Sequence, residues 1–479
     1  VSTPAAPPAA TRRSVGLRSE RGPLLGALML STALVALDST IIATAVPSIV
    51  EDLGGFSQFP WLFSLYLLAQ AVSTPVYGRL ADVAGRKPVM LAGIGLFLLG
   101  SVLCGAAWSM PVLILARAVQ GLGAGAVLPM SVTIVGDVYS LEERARVQGY
   151  IASVWGISAV VGPTLGGAFS EYVSWRWIFW VNLPLCLVAG LVLHRTFRER
   201  LRGERGRVDY LGAGLLSTGC ALLILGLLEG GQAWAWASVP SVAVLLGGLV
   251  LLAAFVAVQR RVAAPVLPLW VFSRRLLLAT SLASVGVGAV VLGLTSYVPT
   301  YAQGVLGAGP VTAGLALAAL TVGWPLAAAV AGRLYLRYGF RATALLGTAL
   351  AVAGSALVVA AVRAGSLLLV ALACFVVGAG LGFTAVPTLV AAQSSVGWAE
   401  RGVVTGSNLF SRSLGSALAV AVLGAVANAS LGDAPARGAA LRDASSAVFV
   451  GVLVAAVAMV GAVLAMPRRV APPAPRESA

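Results

Sequence analysis

Apolar runs long enough to cross a bilayer recur from one end of this chain to the other, and no other feature restricts its fold as strongly. Leu24–Val46, LLGALMLSTALVALDSTIIATAV, is one of them. About 20 apolar residues span a hydrocarbon core as a helix, and water-free surroundings admit only helices or closed barrels. Charged residues make up 10% of the sequence against 59% hydrophobic, far below the quarter of a soluble chain. The predicted fold class is an all-α integral membrane protein. A cleaved leader does not explain Leu24–Val46, because many further spans follow it.

Fourteen spans are predicted, near 23–46, 60–78, 89–107, 111–135, 147–169, 177–194, 209–229, 239–258, 276–298, 311–332, 342–361, 366–391, 403–427 and 446–465. The net charge of +15 would suggest a nucleic-acid partner in a soluble protein. Here its position explains it. Of 31 Arg and one Lys, 26 fall in the two tails and in alternate loops, four fall in the opposite loops, and Arg117 and Arg412 lie inside spans. The positive-inside rule then places both tails in the cytoplasm, with an even number of spans. Residues 1–22, polar and rich in Pro, Ala and Arg, read as a disordered tail, and 466–479 as a second tail.

The chain also repeats itself. GRLADVAGRK from Gly78 matches GRLYLRYGFR from Gly332, 254 residues on. Pro129, Glu143-Arg144 and Gly149 recur as Pro387, Glu400-Arg401 and Gly406. Landmarks in one order at nearly one offset indicate duplicated six-helix halves, 23–194 and 276–465, a known transporter plan. Residues 195–275 are then a linker carrying two extra spans, 209–229 and 239–258.

Asp38 is the only acid deep in any predicted span. Such residues are costly and usually face a bundle interior, where they often carry protons or ions; the competing reading is a structural aspartate satisfied by Ser39 or Thr40. A buried Arg needs an anion, and Asp38 is the candidate partner of Arg117. The four cysteines lie in apolar runs without paired spacing and read as small hydrophobes, not as disulfides or metal ligands. One histidine, His194, cannot build a zinc site. GLGAG after Gln120 lies within a long apolar span, so it reads as a helix-packing surface and not as a nucleotide loop.

Four motifs carry a resemblance. LDSTIIATAVP (37–47), GRLADVAGRK (78–87), RAVQGLGAGAVLP (117–129) and GISAVVGPTLGG (156–167) make the chain, over residues 20–465, similar to the major facilitator superfamily. Within it, the chain resembles the fourteen-helix drug:proton antiporters. The resemblance implies two six-helix bundles around a central cavity. It implies proton coupling at Asp38, modulated by Arg117. It implies a latch of Gly78, Asp82, Gly85, Arg86 and Asp137, with Asp82 near a helix N-terminus of the other half and Arg86 reaching Asp137. It implies an antiporter motif at Gly162, Pro163, Gly166 and Gly167, packed against a helix of the other half. Ala43 stands where the family often has Asn, Ser158 where Gly is commoner, and Leu336 replaces Asp82 in the second copy.

Polar or aromatic residues that can face the cavity are Gln70, Gln120, Trp155, Tyr297, Gln303, Trp324, Asn408 and Arg412. Trp61, Trp108, Trp175, Trp177, Trp234 and Trp236 lie near span ends, as interface anchors do. Glu229, in the outer loop of the extra spans, reads as solvated. The implied function is export of small amphiphilic compounds from a bacterial plasma membrane, driven by protons, with no cofactor, no metal and no nucleic acid, by a monomer. The rivals are a dedicated exporter of one metabolite or lipid, a membrane enzyme, and a non-transporting sensor. No His/Asp/Ser constellation supports the enzyme.

Overall fold

The computed structural model describes residues 16–54, 61–199, 209–231, 233–262, 265, 268–431 and 438–468. The expected tails fall largely outside these residues, as do Arg200 to Arg207 of the linker and Arg437.

The described residues are helical nearly throughout, with no named β-strand among them. In chain order the long helices are α1 (Gly22–Leu53), α2 (Trp61–Ala84), α3 (Arg86–Gly105), α4 (Met110–Val138), α5 (Leu141–Tyr172) and α6 (Trp177–Thr196). Next come α7 (Tyr210–Glu229) and α8 (Val239–Gln259). The last six are α9 (Arg275–Gly304), α10 (Pro310–Tyr338), α11 (Phe340–Ala364), α12 (Leu367–Ser394), α13 (Arg401–Leu431) and α14 (Gly438–Leu464).

Eleven described helices are long and apolar enough to cross a membrane. Of the other three, α2 carries Arg79 and Asp82, and the first turns of α5 carry Glu142, Glu143, Arg144 and Arg146. The apolar part of α7 is the shorter Tyr210–Gly226. Length is no obstacle in α2 and α5: 24 and 32 residues give roughly 36 and 48 Å at 1.5 Å per residue.

Local chemistry sets the helix ends. Ser140 and Glu143 close a capping box at the start of α5, and Glu143 also pairs with Arg21 at 3.1 Å. This satisfies donors that a helix start leaves free. Gly85 (φ 100°) and Gly339 (φ 88°) occupy equivalent places in the repeated loop. Each joins two helices through a left-handed backbone that only glycine adopts cheaply. Asp209 accepts from Gly212 N at 2.8 Å and from Gln259 Nε2 at 2.7 Å, tying the start of α7 to the end of α8.

The packing gives separate cores. One gathers Leu25, Phe97, Ile134 and Cys186 from α1, α3, α4 and α6. Another gathers Val287, Tyr301, Val377 and Phe449 from α9, α12 and α14. Close helix approach depends on the glycines of α4: a Cβ at Gly121 would strike the Tyr66 carbonyl, and one at Gly123 the Phe97 amide. This is the packing role expected for GLGAG, in a membrane where small residues let backbones meet.

Helices α7 and α8 pack as a pair beside the bundle. Ile224 of α7 joins Leu68 and Ala71 of α2 and Ala417 of α13. Leu216 and Cys220 join Phe255 of α8 and Phe410 of α13. Thus α7 straddles the line where α2 meets α13. Helix α8 leaves apolar side chains such as Leu246, Leu249 and Val250 exposed, as lipid requires. Glu229 departs from expectation: it is 8% exposed, buried and not solvated. Trp175 is likewise buried, donating Nε1–H to Asp52 at 3.0 Å. Trp108 is exposed.

Candidate functional site

Two clusters of charge lie in the bundle, one within the membrane span and one at the end bearing the α2–α3 loop, called here the basic end.

The first centres on Asp38, halfway along α1. Arg117 Nη1 donates to Asp38 Oδ2 at 2.6 Å and to Gln120 Oε1 at 2.6 Å. Arg117 Nε donates to the Leu62 carbonyl at 3.2 Å. Gln120 Nε2 donates to Asp38 Oδ1 at 2.8 Å and to Ser101 Oγ at 3.0 Å, and Asn182 extends the chain to Ser101. The guanidinium also lies over the Tyr66 ring, 4.0 Å from its centroid, a cation–π contact strengthened by desolvation. Asp38 and Arg117 are each 1% exposed. A charge this deep persists only when paired and hydrogen-bonded, and here five helices supply the partners. Ser39 and Thr40, the alternative partners considered from sequence, instead donate to backbone carbonyls.

This placement corrects one expectation. Gln120 does not face a cavity; it is fully buried and bridges both charges. The helix period foretold it, since positions 117 and 120 share a face. Ser101, Tyr66 and Asn182 come from other helices, and sequence reasoning missed them.

The second cluster spans the meeting of α2 and α4 with α13. Arg86 bonds Asp82 at 2.8 Å and Asp137 at 3.0 Å, gives a further hydrogen bond to the Trp398 carbonyl at 2.6 Å, and stacks on the Trp398 ring, 3.8 Å from its centroid. Asp82 accepts the first backbone N–H groups of α13, Gly402 at 3.0 Å and Val403 at 2.8 Å. Free donors and the helix dipole favour an anion there. Arg401 donates to Asp137 and to the Gly136 carbonyl at 3.0 and 2.8 Å. Arg144 donates to the Gly136 and Tyr139 carbonyls; burial, and then the neighbouring Arg401, push its pKa down to about 10, so it stays charged at neutral pH. All five latch residues expected from sequence are therefore together. Trp398, Arg401 and Glu199 were not foreseen; Glu199 accepts from the Arg86 and Lys87 amides at 2.7 and 3.0 Å and so caps α3.

The seam between the halves is tight at this end. A Cβ at Gly78 would lie 2.7 Å from the Gly402 carbonyl. On the other flank, Gly149 and Gly156 of α5 face Ala329 and Pro325 of α10. Farther along, Gly167 of α5 and Gly314 of α10 have nothing within 4 Å of such a Cβ. The seam is closed at the basic end, and its α5–α10 flank opens toward the opposite one.

The antiporter motif divides accordingly. Gly162 packs against Thr40 of α1, inside the first six helices and not on the other half as expected; a short α1–α5 approach uses its missing side chain. Gly166 is buried, and Gly167 faces open space. The side chain of Pro163 lies outside the described residues. Contact with the other half comes from Gly156, at the motif's start.

The remaining cavity candidates scatter. Asn408 is buried, with its amide oxygen accepting from Ser284 Oγ at 2.8 Å. Trp324 is part-buried against two cores. Trp155 and Gln303 are exposed, and Gln70, Tyr297 and Arg412 are half-buried.

Comparison with known proteins agrees with this architecture. The Major Facilitator Superfamily profile matches residues 28–420. Multidrug transporter protein MdtP of Bacillus subtilis is 32% identical over 419 residues, covering 87% of this chain and 77% of the relative. Multidrug resistance protein 3 of the same organism is 31% identical over 399 residues, covering 83% and 78%. Among solved structures, the human organic anion transporter MFSD10 superposes with a TM-score of 0.67 at 15% identity, covering 93% of this chain and 99% of that one, which bears on the fold alone. The chain is a multi-pass membrane transporter that belongs to the Major Facilitator Superfamily.

Proposed function

We propose that this protein exports small amphiphilic compounds from the cell across the plasma membrane in exchange for protons, by alternating access. The observation that carries the reading is the Asp38–Arg117–Gln120 network: an ionisable pair sealed at mid-span, in a molecule whose seam is shut at the basic end. The named relatives are a multidrug transporter and a multidrug resistance protein, and drug efflux is the corresponding substrate range here.

In this reading all fourteen helices cross the membrane and both tails are cytoplasmic. Residues 23–194 and 276–465 form the two moving bundles, joined through 195–275. The basic end is the cytoplasmic end, so the structure corresponds to an outward-facing state. Asp82, held by the first turn of α13, and Arg86, held by Asp137 and Trp398, latch that end shut. Protonation of Asp38 breaks its pair with Arg117 and frees the guanidinium, which loosens α1 from α4. Deprotonation toward the cytoplasm restores the pair. The proton is the coupling ion, the transporting unit is a monomer, and no cofactor takes part.

The test uses sealed proteoliposomes with an internal pH dye and an imposed proton gradient. Lipophilic compounds should trigger proton flux in the wild type and none in Asp38→Asn. Flux surviving in Asp38→Asn would place coupling elsewhere.

A further inference from the structure

Three charged side chains lie at depth in the predicted spans: Asp38, Arg117 and Arg412. The first two neutralise each other. Among the described residues Arg412 has no such partner. Its guanidinium enters none of the six ion pairs among the described residues. The sequence from Leu276 to Leu464 contains only three acids, Glu400, Asp433 and Asp443, and all of them lie outside the predicted spans.

Its position is central. Arg412 is eleven residues into α13, about 16 Å along the axis at 1.5 Å per residue, near the middle of a ~30 Å hydrocarbon layer. The surrounding helix is fixed. Four residues before it, Asn408 bonds Ser284 and the Thr280 carbonyl of α9. Four residues after it, Ser416 donates to the Gly288 carbonyl at 3.1 Å. The Arg412 backbone itself packs on Gly288. Its side chain, at the centre of this polar stripe, is half-buried and makes no hydrogen bond among the described residues.

The face it occupies is the inner one. Thr405, seven residues earlier and on the same face, accepts from Gln393 of α12 at 2.9 Å, and Gln393 reaches the Val132 carbonyl of α4. At the level of Thr405 that face is therefore shut against the other half. Arg412 lies two turns farther from that closed end, in the direction in which the α5–α10 flank of the seam opens at Gly167 and Gly314. The lipid side of α13 is marked elsewhere, by exposed Leu418 and Val422, and α7 covers Phe410 and Ala417.

We propose that Arg412 is an anion-recognition residue of the transport cavity, and that the exported compound carries a carboxylate or similar anionic group beside its apolar body. This rests on the export reading and narrows it. A guanidinium held at mid-membrane without a protein acid is compensated when its counter-charge arrives with the cargo, and its planar fork suits a carboxylate. With Asp38 already neutralised by Arg117, Arg412 leaves the inner surface net positive, which disfavours the lipophilic cations that a multidrug exporter would otherwise accept.

The test measures equilibrium binding to the purified full chain by thermal shift and by calorimetry. It uses para-butylbenzoate, its carboxamide and para-butylbenzylammonium, which share one apolar body. The wild type should prefer the carboxylate at least about tenfold, and R412Q should lose that preference while R412K keeps part of it. Equal binding of the three probes, preference for the ammonium, or no binding of the carboxylate would overturn the proposal. So would a carboxylate preference that survives R412Q. The wild-type series stands by itself should R412Q fail to fold. Chloride is titrated alone, against nitrate: saturable stabilisation by chloride that R412Q removes and that the carboxylate cannot displace would make this an inorganic-ion site and overturn the assignment to cargo. Transport is scored separately in the proteoliposomes. Carboxylate binding without proton flux would sink the export reading and leave the anion site standing; flux without preference for anions would do the reverse.

Discussion

The two halves repeat one plan and use it differently. In the first copy of the repeated loop, Asp82 and Arg86 face each other, hold Asp137, and reach across the seam to α13. In the second copy the equivalent places are Leu336, 43% exposed, and Phe340, stacked on Tyr335 with ring centroids 4.9 Å apart. Both loops keep the left-handed glycine, Gly85 and Gly339, because the turn needs it whatever the side chains do. The cross-seam charges are kept once. The same contrast holds inside the membrane, where Arg117 is saturated with partners and the Arg412 side chain has none among the described residues. Backbone geometry is common to the halves, while the electrostatic work, as proposed, is divided: coupling and latching in the first, reception of cargo in the second.

The largest test of that division is stability. Asp38→Ala strands the buried Arg117 guanidinium and should cost about 3–5 kcal/mol, as when one partner of a buried pair is removed. Asp38→Asn with Arg117→Gln should recover most of the thermal stability in detergent and no proton flux. Arg412→Gln, which breaks no pair, should cost far less than Asp38→Ala; a comparable loss would erase the contrast between the halves.

Next comes the latch. Asp82→Asn weakens hydrogen bonds to a charged acceptor, worth about 1.5–3 kcal/mol, and should open the basic end. Spin-label distances between the α2–α3 loop and the start of α13 would report the shift. Leu336→Asp, which installs the missing acid in the second copy, should leave those distances unchanged, because Phe340 offers it no cation.

Gly402→Ala tests the seam by sterics alone. Its Cβ would stand 2.5 Å from the Gly78 carbonyl, an overlap of the kind that costs about 1–3 kcal/mol. The same spin-label pair should report partial opening, smaller than with Asp82→Asn. An alanine at Gly314, which has open space, should do nothing.

The smallest effect is expected at the opposite end. Asp52 bonds Arg176 at 2.6 Å. Hydrogen bonds from Arg176 and then Trp175 hold its pKa below the usual carboxylate value. A lowered folded-state pKa means the stabilisation is complete above the ordinary carboxylate range and is lost as pH falls through the lowered value. The pair is partly exposed, so Asp52→Asn should cost under about 1 kcal/mol at neutral pH. The gap between the two melting curves should close on acidification.

Much of this was legible in the chain. Apolar run length gave the helices, and the duplicated Gly78 and Gly332 loops gave the twofold plan. Asp38 and Arg117 stood out because uncompensated charge in lipid is expensive, so each implied the other. Ser101, Asn182 and Tyr66 were not legible, since their role depends on which faces of α2, α3 and α6 turn toward α4. Gln120 was misplaced for the same reason: a polar residue in a span reads alike whether it faces a cavity or a buried pair. Glu229 and Trp175 were read as surface groups from their places at helix ends, where only packing decides burial.

The sequence by itself determined that the chain is helical, membrane-embedded and duplicated, because each follows from local composition and repetition. Tertiary structure alone decided where the seam is shut, that α7 bridges α2 and α13, that Gly162 serves α1 and not the other half, and that Arg117 is satisfied while Arg412 finds no partner among the described residues. Those are matters of which surfaces meet across hundreds of residues, and a helix's own sequence fixes its faces without naming the neighbours they will find.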